Sequence, residues 1–492
     1  MKRADTCIEV LESRIAPANF TVTNLLDAGP GSLRQAIFDA NNSSGADTIT
    51  FAHNLHGAIK LTSDLPAITD SLTITGPGTS RLTINGEQHQ LIQIEGSSLS
   101  VDLSKVKLTG GFAADGGAVA INDPGGSVLL DHVVLTANHA VGDGTSPGNG
   151  GGLAVLSGTV TLHASHITAN GAGAYNSVVN PFTLKTSVEF QTTGLGGGID
   201  VAAGGNLTII ASIIHGNSAG GGGGIYNAGQ LLVESHSALS ANIAQIIRGG
   251  TLIARGGGLL NDTGGTATLD HSNVTGNKAI GSAGVLGGLD ASAPPTPGGD
   301  AAGGGIYNAA GSLVTITGAH ITGNKAAGGM GGSGIAGADG VAGIGGGAPG
   351  ERGGTGGKGA NGGNAIGGGI ANDGTLTLQK SVISGNVAMG GEGGVGGLGG
   401  TGGMGGGSVQ TYGGGYILVG ETSGRGGPGG YGGAGGTGGT GKSAGIYDST
   451  GTVVVIKPSI VSGNTQRNGA RGPMGEYGDR GPSADGYTAN NY

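Results

Sequence analysis

Apolar and polar residues alternate in eight short segments, each ending on a small residue followed by Asn. The closing residues are Asn138, Asn170, Asn217, Asn242, Asn277, Asn324, Asn386 and Asn464. Three positions before the Asn, the residue is always apolar: Leu135, Ile167, Ile214, Leu239, Val274, Ile321, Ile383 and Val461. Eight positions before it, the residue is apolar except for Glu234. This alternation predicts strands with one buried face.

Five positions before the Asn, the residue is always small or β-branched: Val133, Ser165, Ser212, Ser237, Ser272, Ala319, Ser381 and Ser459. The positions eight and five before the Asn are three residues apart, an odd number that strict alternation cannot place on one face. A bend is therefore predicted near the position six before the Asn, where His, Ala, Lys, Pro and Gly occur. A further strand of the type GGGIYN precedes most segments, as at Gly222–Asn227 and Gly303–Asn308. Three strands and three bends predict one triangular coil, which buries its apolar face only by stacking on others.

The predicted fold is therefore all-β: a right-handed parallel β-helix, or solenoid. Asn side chains stacked along its axis can hydrogen-bond from coil to coil, and a preceding Gly or Ala suits a tight bend. We interpret the Asn column as a structural ladder. Upstream, GSLRQAIFDANN predicts a capping helix, with Ser32 as its N-cap and Leu33, Ala36, Ile37 and Ala40 on one face.

The chain divides by these patterns into four parts. They are an export-associated segment (1–18), the cap with irregular first coils (19–110), the main β-helix (111–465) and a glycine-rich tail (466–492). Glycine-rich inserts interrupt the main stack at about 278–302, 328–366 and 389–443, with Gly at every third position over long stretches. Two interpretations stay open: flexible loops, or a packed layer of parallel polyglycine-II-type strands.

The motifs GSLRQAIFDAN, SLTITGPG and SRLTING, followed by repeated GGGIYN and SxIxGN coils, resemble bacterial surface β-helix proteins. These include the passenger of the chlamydial polymorphic outer membrane proteins. LESRIAP (Leu11–Pro17) is similar to a short N-terminal motif of predicted extracellular proteins of planctomycetes. The resemblance implies a pectin-lyase-like fold and an extracellular or cell-surface location.

Composition narrows the possible partners. The net charge of −9 disfavours nucleic acid, and no apolar stretch is long enough for a transmembrane segment. Of 492 residues 118 are glycine and none is tryptophan, so the core must be built from small apolar residues. The single cysteine, Cys7, excludes an intramolecular disulfide and a thiolate zinc cluster.

Parallel β-helices also carry polysaccharide lyases and glycoside hydrolases, whose sites gather carboxylates on one face. Seven positions before the Asn, Asp131 and Asp270 lie several coils apart, so no acidic ladder is predicted. Tyr226 and Tyr307 share one column, for which we favour a structural or surface role over sugar stacking.

Histidines recur at His132, His236 and His271, and at His166 and His320, but other residues replace them in the same columns, so we predict no metal ligands. The glycine runs lack a phosphate-loop ending, and no cofactor is predicted. The sequence thus predicts no enzyme but a secreted or surface scaffold for adhesion or envelope structure, with surface glycans or envelope proteins as partners. The alternative is a carbohydrate-active enzyme or a glycan-binding module on the same fold.

Overall fold

The chain is described by a computed structural model over residues 17–142, 147–179, 186–191, 194–246, 253–287, 293–344, 348–405, 410–412, 415–417, 425, 427–449, 451–456 and 458–480. Its strands stack in parallel, coil upon coil, and confirm the predicted parallel β-helix. Most of the predicted export-associated segment, including Leu11, lies outside the described residues.

Sheet 1 is the longest face of the helix. Its strands are Asn19–Val22, Asp47–Phe51, Leu72–Thr75, Ile92–Glu95, Ser100–Ser104, Val119–Asp131, Leu153–His163, Ile199–Ile210, Ile225–Asn227, Gln230–Glu234, Leu259–Asn261, Thr266–Asp270, Ile306–Asn308, Leu313–Thr317, Ile370–Asn372, Thr375–Gln379, Ile446–Asp448 and Thr452–Ile456. Every described coil from Ile225 onward contributes two short strands in line, whereas Val119–Asp131, Leu153–His163 and Ile199–Ile210 are single long strands. Each coil thus spans sheet 1 once.

Sheets 2 and 3 form the other two faces. Sheet 2 contains Gly57–Lys60, Leu82–His89, Val134–Thr136, His166–Thr168, Ile213–His215, Ala238–Ser240, Asn273–Thr275, His320–Thr322, Val382–Ser384 and Ile460–Ser462. Sheet 3 contains His139–Val141, Gly171–Val179, Ser218–Ala219, Ile243–Gln245, Lys278–Ile280, Lys325–Ala327, Val387–Met389 and Thr465–Arg467. Lys107–Ala113 pairs with both sheets.

A short sheet 4 lies where the chain returns to sheet 1. Its strands are Ala254–Arg255, Ala301–Ala302, Ala365–Ile366 and Gly441–Lys442. Two antiparallel hairpins project from the stack: Gly171–Val179 pairs with Thr186–Gln191, and Gln410–Tyr412 with Gly415–Ile417.

One expectation about the coil is wrong. The sequence predicts that the GGGIYN strand forms a separate face, but it lies in sheet 1, in line with the strand that follows it in the same coil. The third face is made instead by the residues after each Asn, such as Lys325–Ala327. Except for Gly171–Val179, which continues into a hairpin, these strands are only two or three residues long, so they show no readable alternation of polar and apolar residues.

The core is a continuous column of apolar side chains. The residues three positions before each Asn pair directly between coils, as in Leu135 with Ile167 and Val274 with Ile321. From Leu135 to Ile383 these side chains have no solvent exposure. At the last coil Val461 is 47% exposed, so no described residue covers the apolar column there.

The bends have left-handed backbone conformations at the predicted positions. Six residues before the Asn, φ is +50° at His132, +46° at His271 and +60° at Gly318. At the residue directly before the Asn, φ is +54° at Ala137 and +65° at Gly323. Non-glycine residues accept this conformation at a modest cost, because each bend is held by the hydrogen bonds of its neighbours.

The predicted N-terminal cap is confirmed. The helix Leu33–Asn41 begins at Ser32, whose hydroxyl accepts a hydrogen bond from the Gln35 backbone N–H at 3.2 Å. Leu33, Ala36, Ile37 and Ala40 are buried against the first strands. Among the described residues, no helix has the length and apolarity to span a membrane.

The glycine-rich inserts form a packed bundle of extended segments. Segments in successive coils run parallel, with Gly331 N–H donating to the Glu392 carbonyl at 2.8 Å and Gly334 N–H to the Val395 carbonyl at 2.8 Å. Within one insert, the outgoing and returning segments run antiparallel, as shown by the 2.8 Å bond from Gly357 N–H to the Ile335 carbonyl. The layer is therefore ordered, but its directions alternate, unlike the all-parallel layer that was one of the two interpretations.

Close backbone approach explains glycine at every third position of this bundle. A Cβ atom on Gly397 would lie 1.7 Å from the carbonyl oxygen of Ile335, and one on Gly433 would lie 2.0 Å from that of Gly357. No side chain fits at such a distance. The intervening residues point outward, and several are large and exposed, including Leu398 and Tyr431.

Candidate functional site

The eight asparagines form a continuous ladder inside the stack. From Asn170 to Asn464, each side-chain oxygen accepts two bonds from the Asn of the coil before it; for example, Asn324 Oδ1 accepts from both the backbone N–H and Nδ2 of Asn277 at 3.0 Å. Nδ2 of Asn277 also donates to the Leu239 carbonyl at 2.9 Å. The same pattern runs through Asn138, Asn170, Asn217, Asn242, Asn386 and Asn464. These buried groups use their hydrogen bonds on one another, so the ladder offers no ligand site.

A second ladder lies in sheet 1 and was not anticipated from the sequence. Nδ2 of Asn227 donates to Asn261 Oδ1 at 2.7 Å, and the chain of bonds continues through Asn308, Asn372 and Asp448. These are the final residues of the IYN-type strands. Their recurrence at the end of each GGGIYN motif is the signal that identifies them.

Two columns of side chains meet at the corner where each coil enters sheet 1. In one column, each coil contributes the second residue of the sheet 1 strand that follows its glycine bend. This residue points away from the core because its two chain neighbours are buried there. The other lies just before the glycine bend, in sheet 4 and the single β-bridges that continue it. We call this surface the corner face: Asp115, Asn149, Leu195 and Arg255 from the bend, and Asp200, Tyr226, Leu260 and Tyr307 from sheet 1.

Asp200 is the chemically unusual member of the corner face. Asp200 is only 5% exposed, and its chain neighbours Ile199 and Val201 are fully buried. Within the described part of the chain no hydrogen bond reaches its carboxyl group, whereas the buried Asp47 and Asp123 each accept one from a backbone N–H. Burial, and to a lesser degree the charge of Asp115, raises the pKa of Asp200 to about 7.

Asp115 completes an acidic pair at this end of the corner face. It precedes the glycine bend two coils before Asp200, since Asp115 pairs with Asn149 and Asn149 with Leu195. Burial also raises the pKa of Asp115, although hydrogen bonds from Asn149 oppose the shift. Both carboxyl groups therefore hold protons at a higher pH than an exposed aspartate.

Tyrosines continue the corner face beyond Asp200. The Tyr226 hydroxyl donates to Asp262 at 2.6 Å, and the Tyr307 hydroxyl donates to Asp373 at 2.5 Å. Burial and these hydrogen bonds raise the pKa of Tyr307 to about 12, and they raise that of Tyr226 further. The Arg255 guanidinium lies 5.0 Å from the centre of the Tyr307 ring. Both phenols thus stay neutral and held in place at physiological pH.

The histidine columns are at the opposite end of the sheet 1 strands, at the bend into sheet 2. Asp131 Oδ1 lies 2.8 Å from His132 Nδ1 and 2.6 Å from His163 Nδ1, so one carboxylate oxygen joins two imidazoles. Asp270 contacts only His271, at 2.7 Å. Asp131 and Asp270 are not brought together, in agreement with their separation in the sequence.

Sequence reasoning missed Asp200 and Asp115. The signal for Asp200 is a substitution within the repeat: GGGID stands at Gly196–Asp200 where other coils read GGGIY or GGGLL. Asp115 has no repeat signal, because the column before the bend contains Asp, Asn, Leu, Gly and Arg in successive coils. Only the folded coil shows that this column faces Asp200.

Comparison with known proteins finds similarity only among solved structures. No protein-family model matches the chain, and no curated protein matches it. Among solved structures, it is similar to a mannuronic-acid-specific family 6 polysaccharide lyase from human gut microbiota, at 9% identity and a TM-score of 0.26, over 75% of this chain and 76% of that one.

This likeness corrects one expectation from the sequence. The similar protein is an enzyme, so the prediction that the chain is not an enzyme is contradicted and is not retained. A TM-score of 0.26 assigns no reaction to this chain. The assignment of chemistry rests on the chain's own side chains.

Proposed function

We propose that this chain is a carbohydrate-active enzyme that hydrolyses a polysaccharide bound along the corner face. The observation that carries the proposal is Asp200, a nearly buried carboxyl group without a hydrogen-bond partner among the described residues, whose pKa is raised to about 7. Buried carboxyl groups with a structural role are normally hydrogen-bonded. An unpaired one that is half protonated near neutral pH suits proton donation to a leaving oxygen.

Asp115 supplies the second carboxyl group that hydrolysis needs. Asp115 lies two coils before Asp200. At about 4.8 Å per coil, this step is about 10 Å along the axis of the β-helix. Inverting pairs of carboxyl groups are about 6.5–9.5 Å apart and leave room for a water, whereas retaining pairs are only about 5 Å apart, so a spacing of two coils is slightly longer than the inverting range and far from the retaining one. The proposal therefore assigns Asp200 as general acid and Asp115 as the base that activates water.

The exposed and partly exposed residues of the corner face would bind the sugar chain. Tyr226 lies in the coil next to Asp200, and Tyr307 lies two coils further along the same column. The ring of Tyr226 is partly exposed beside its fixed hydroxyl group, a combination suited to a sugar ring, whereas Tyr307 is buried beneath Arg255 and supports the face from below. Arg255 and Asp262 add hydrogen-bonding groups at the rim. Because successive coils repeat at about 4.8 Å, the face extends in one direction, as a linear glycan does.

We also propose that the protein acts outside the cell. Support comes from the LESRIAP motif and from the resemblance of the coil motifs to bacterial surface β-helix proteins. An extracellular enzyme of this kind would meet surface glycans as substrates.

The test is a cleavage screen over neutral and uronic-acid polysaccharides, measuring new reducing ends and, separately, the ultraviolet absorbance of unsaturated products. Wild-type protein is compared with Asp200→Asn and with Asp102→Asn, a control on the outward side of sheet 1 away from the corner face. We expect hydrolysis by wild type and the control, a loss of at least about 100-fold in Asp200→Asn, and inverted product. Undiminished cleavage by Asp200→Asn, or unsaturated product, would contradict the proposal.

A further inference from the structure

The bend between sheets 1 and 2 carries a cluster that the proposed hydrolysis does not use. Asp131 and His132 are consecutive residues at the end of one coil, and His163 occupies the position paired with Asp131 in the next coil. The strand register therefore sets the two histidines around one carboxylate. The ligand atoms of all three residues lie within 4.8 Å of one another.

The cluster is open to solvent on one side. The side chain of Asp131 is 24% exposed, that of His163 44% and that of His132 57%. The two imidazoles are 5.7 Å apart in an edge-to-face arrangement with an interplanar angle of 75°, and Asp131 lies between their Nδ1 atoms. The Nδ1 atoms of both imidazoles thus converge on one carboxylate oxygen.

We propose that Asp131, His132 and His163 bind a divalent transition metal ion of the zinc type. Two imidazoles and one carboxylate form a donor set that favours Zn²⁺, Ni²⁺ or Cu²⁺ over Ca²⁺ and Mg²⁺. At metal–ligand distances of about 2.0–2.2 Å, tetrahedral ligand atoms stand about 3.4 Å apart. The present 2.6 and 2.8 Å contacts reach that spacing when each ring moves by less than about 1 Å.

Three protein ligands leave a fourth tetrahedral position facing solvent. The site is therefore accessible to water or to a donor atom of a bound molecule, unlike a closed structural zinc site. This inference replaces the expectation, made column by column in the sequence, that these histidines hold no metal. The cluster combines two columns, and only the coil-to-coil register brings them together.

The same fold supplies a matched control. Asp270 and His271 repeat the first two residues of the cluster at 2.7 Å, but the position paired with Asp270 in the next coil is Thr317. This site has two ligands where the other has three. Replacing Thr317 by His would give it the third.

The experiment is a titration of the untagged full chain with ZnCl₂ by isothermal calorimetry, with and without excess CaCl₂. We expect one Zn²⁺ per chain that Ca²⁺ does not displace, at least tenfold weaker binding in His163→Ala and Asp131→Asn, and unchanged binding in His271→Ala. The Thr317→His variant should bind a second Zn²⁺. Circular dichroism of each variant checks that the β-helix is intact.

Several outcomes would overturn the inference. They are the absence of Zn²⁺ binding by the wild type, equal binding by folded His163→Ala, displacement by Ca²⁺, or an unchanged stoichiometry of one in folded Thr317→His. None of these results bears on polysaccharide hydrolysis, because Asp200 lies at the opposite end of the sheet 1 strands. The two proposals therefore fail separately.

Discussion

Replacing Asp200 by Asn should stabilise the protein at alkaline pH and leave its stability nearly unchanged in acid. Asn has the shape and neutrality of the protonated acid. In the folded chain, burial raises the pKa of Asp200 from 3.8 to about 7. The folded state therefore binds a proton that the unfolded state has already lost between these two pH values.

The sign of the effect follows from this difference. A raised pKa in the folded state means that stability is complete below about pH 4, falls as the pH rises, and reaches its lower plateau above about pH 7. At about 1.4 kcal/mol per pKa unit, the whole loss is roughly 4 kcal/mol. For 492 residues at about 2 cal/mol/K each, this corresponds to roughly 4 °C in a cooperative transition.

Differential scanning calorimetry of wild type and Asp200→Asn between pH 4 and pH 9 measures this directly. The midpoint of the variant should coincide with that of wild type near pH 4 and exceed it by several degrees at pH 8. The Asp115→Asn variant should shift the pH dependence of wild type downward, because it removes a like charge near Asp200. A difference between wild type and Asp200→Asn that is constant with pH would refute the reasoning, since it would mean that Asp200 ionises normally.

Three further changes test the scaffold. Asn277→Ala leaves two donors of Asn242 unpaired in the core, so we expect a loss of about 3–5 kcal/mol in unfolding free energy, measured by urea denaturation; a loss below about 1 kcal/mol would contradict the ladder. Gly397→Ala forces a Cβ to 1.7 Å from a neighbouring carbonyl, so amide exchange in the bundle should accelerate, whereas the exposed control Leu398→Ala should exchange like wild type. Ser32→Ala removes the helix N-cap and should cost about 1 kcal/mol by the same denaturation assay; no change would show that the cap bond is dispensable.

The sequence was sufficient for the features that repeat. The alternation around Leu135 and its equivalents predicts the buried strand, and the odd step before it predicts the bend at His132. Both follow because a parallel stack places equivalent residues of every coil in the same environment. The capping helix could be predicted because its apolar face has helical spacing and follows a Ser.

Features set by contacts between unlike segments could not be predicted. Glycine at every third position permits both a loose loop and a packed bundle, and only the hydrogen bonds between inserts, such as Gly331 to Glu392, decide for the bundle. Most strands of sheet 3 have only two or three residues, which is too few to show a periodic pattern in the sequence. The course of each strand is set by its pairing with the strands of the coils on either side.

The candidate site was missed for a related reason. Asp200 replaces an aromatic or apolar residue in an otherwise regular column, and a search for repeated acids overlooks a single replacement. Its environment depends on Asp115, which lies 85 positions away in the sequence and two coils away in space. The metal cluster likewise combines a neighbour in sequence with one in the next coil.

The most direct test of the account is the crystal structure of Asp200→Asn with an oligosaccharide from a polysaccharide that the wild type cleaves. We expect the sugar chain to lie along the corner face, with a glycosidic oxygen within hydrogen-bond distance of the side chain at position 200 and a ring over Tyr226. An oligosaccharide bound elsewhere on the β-helix, with the corner face empty, would contradict the account.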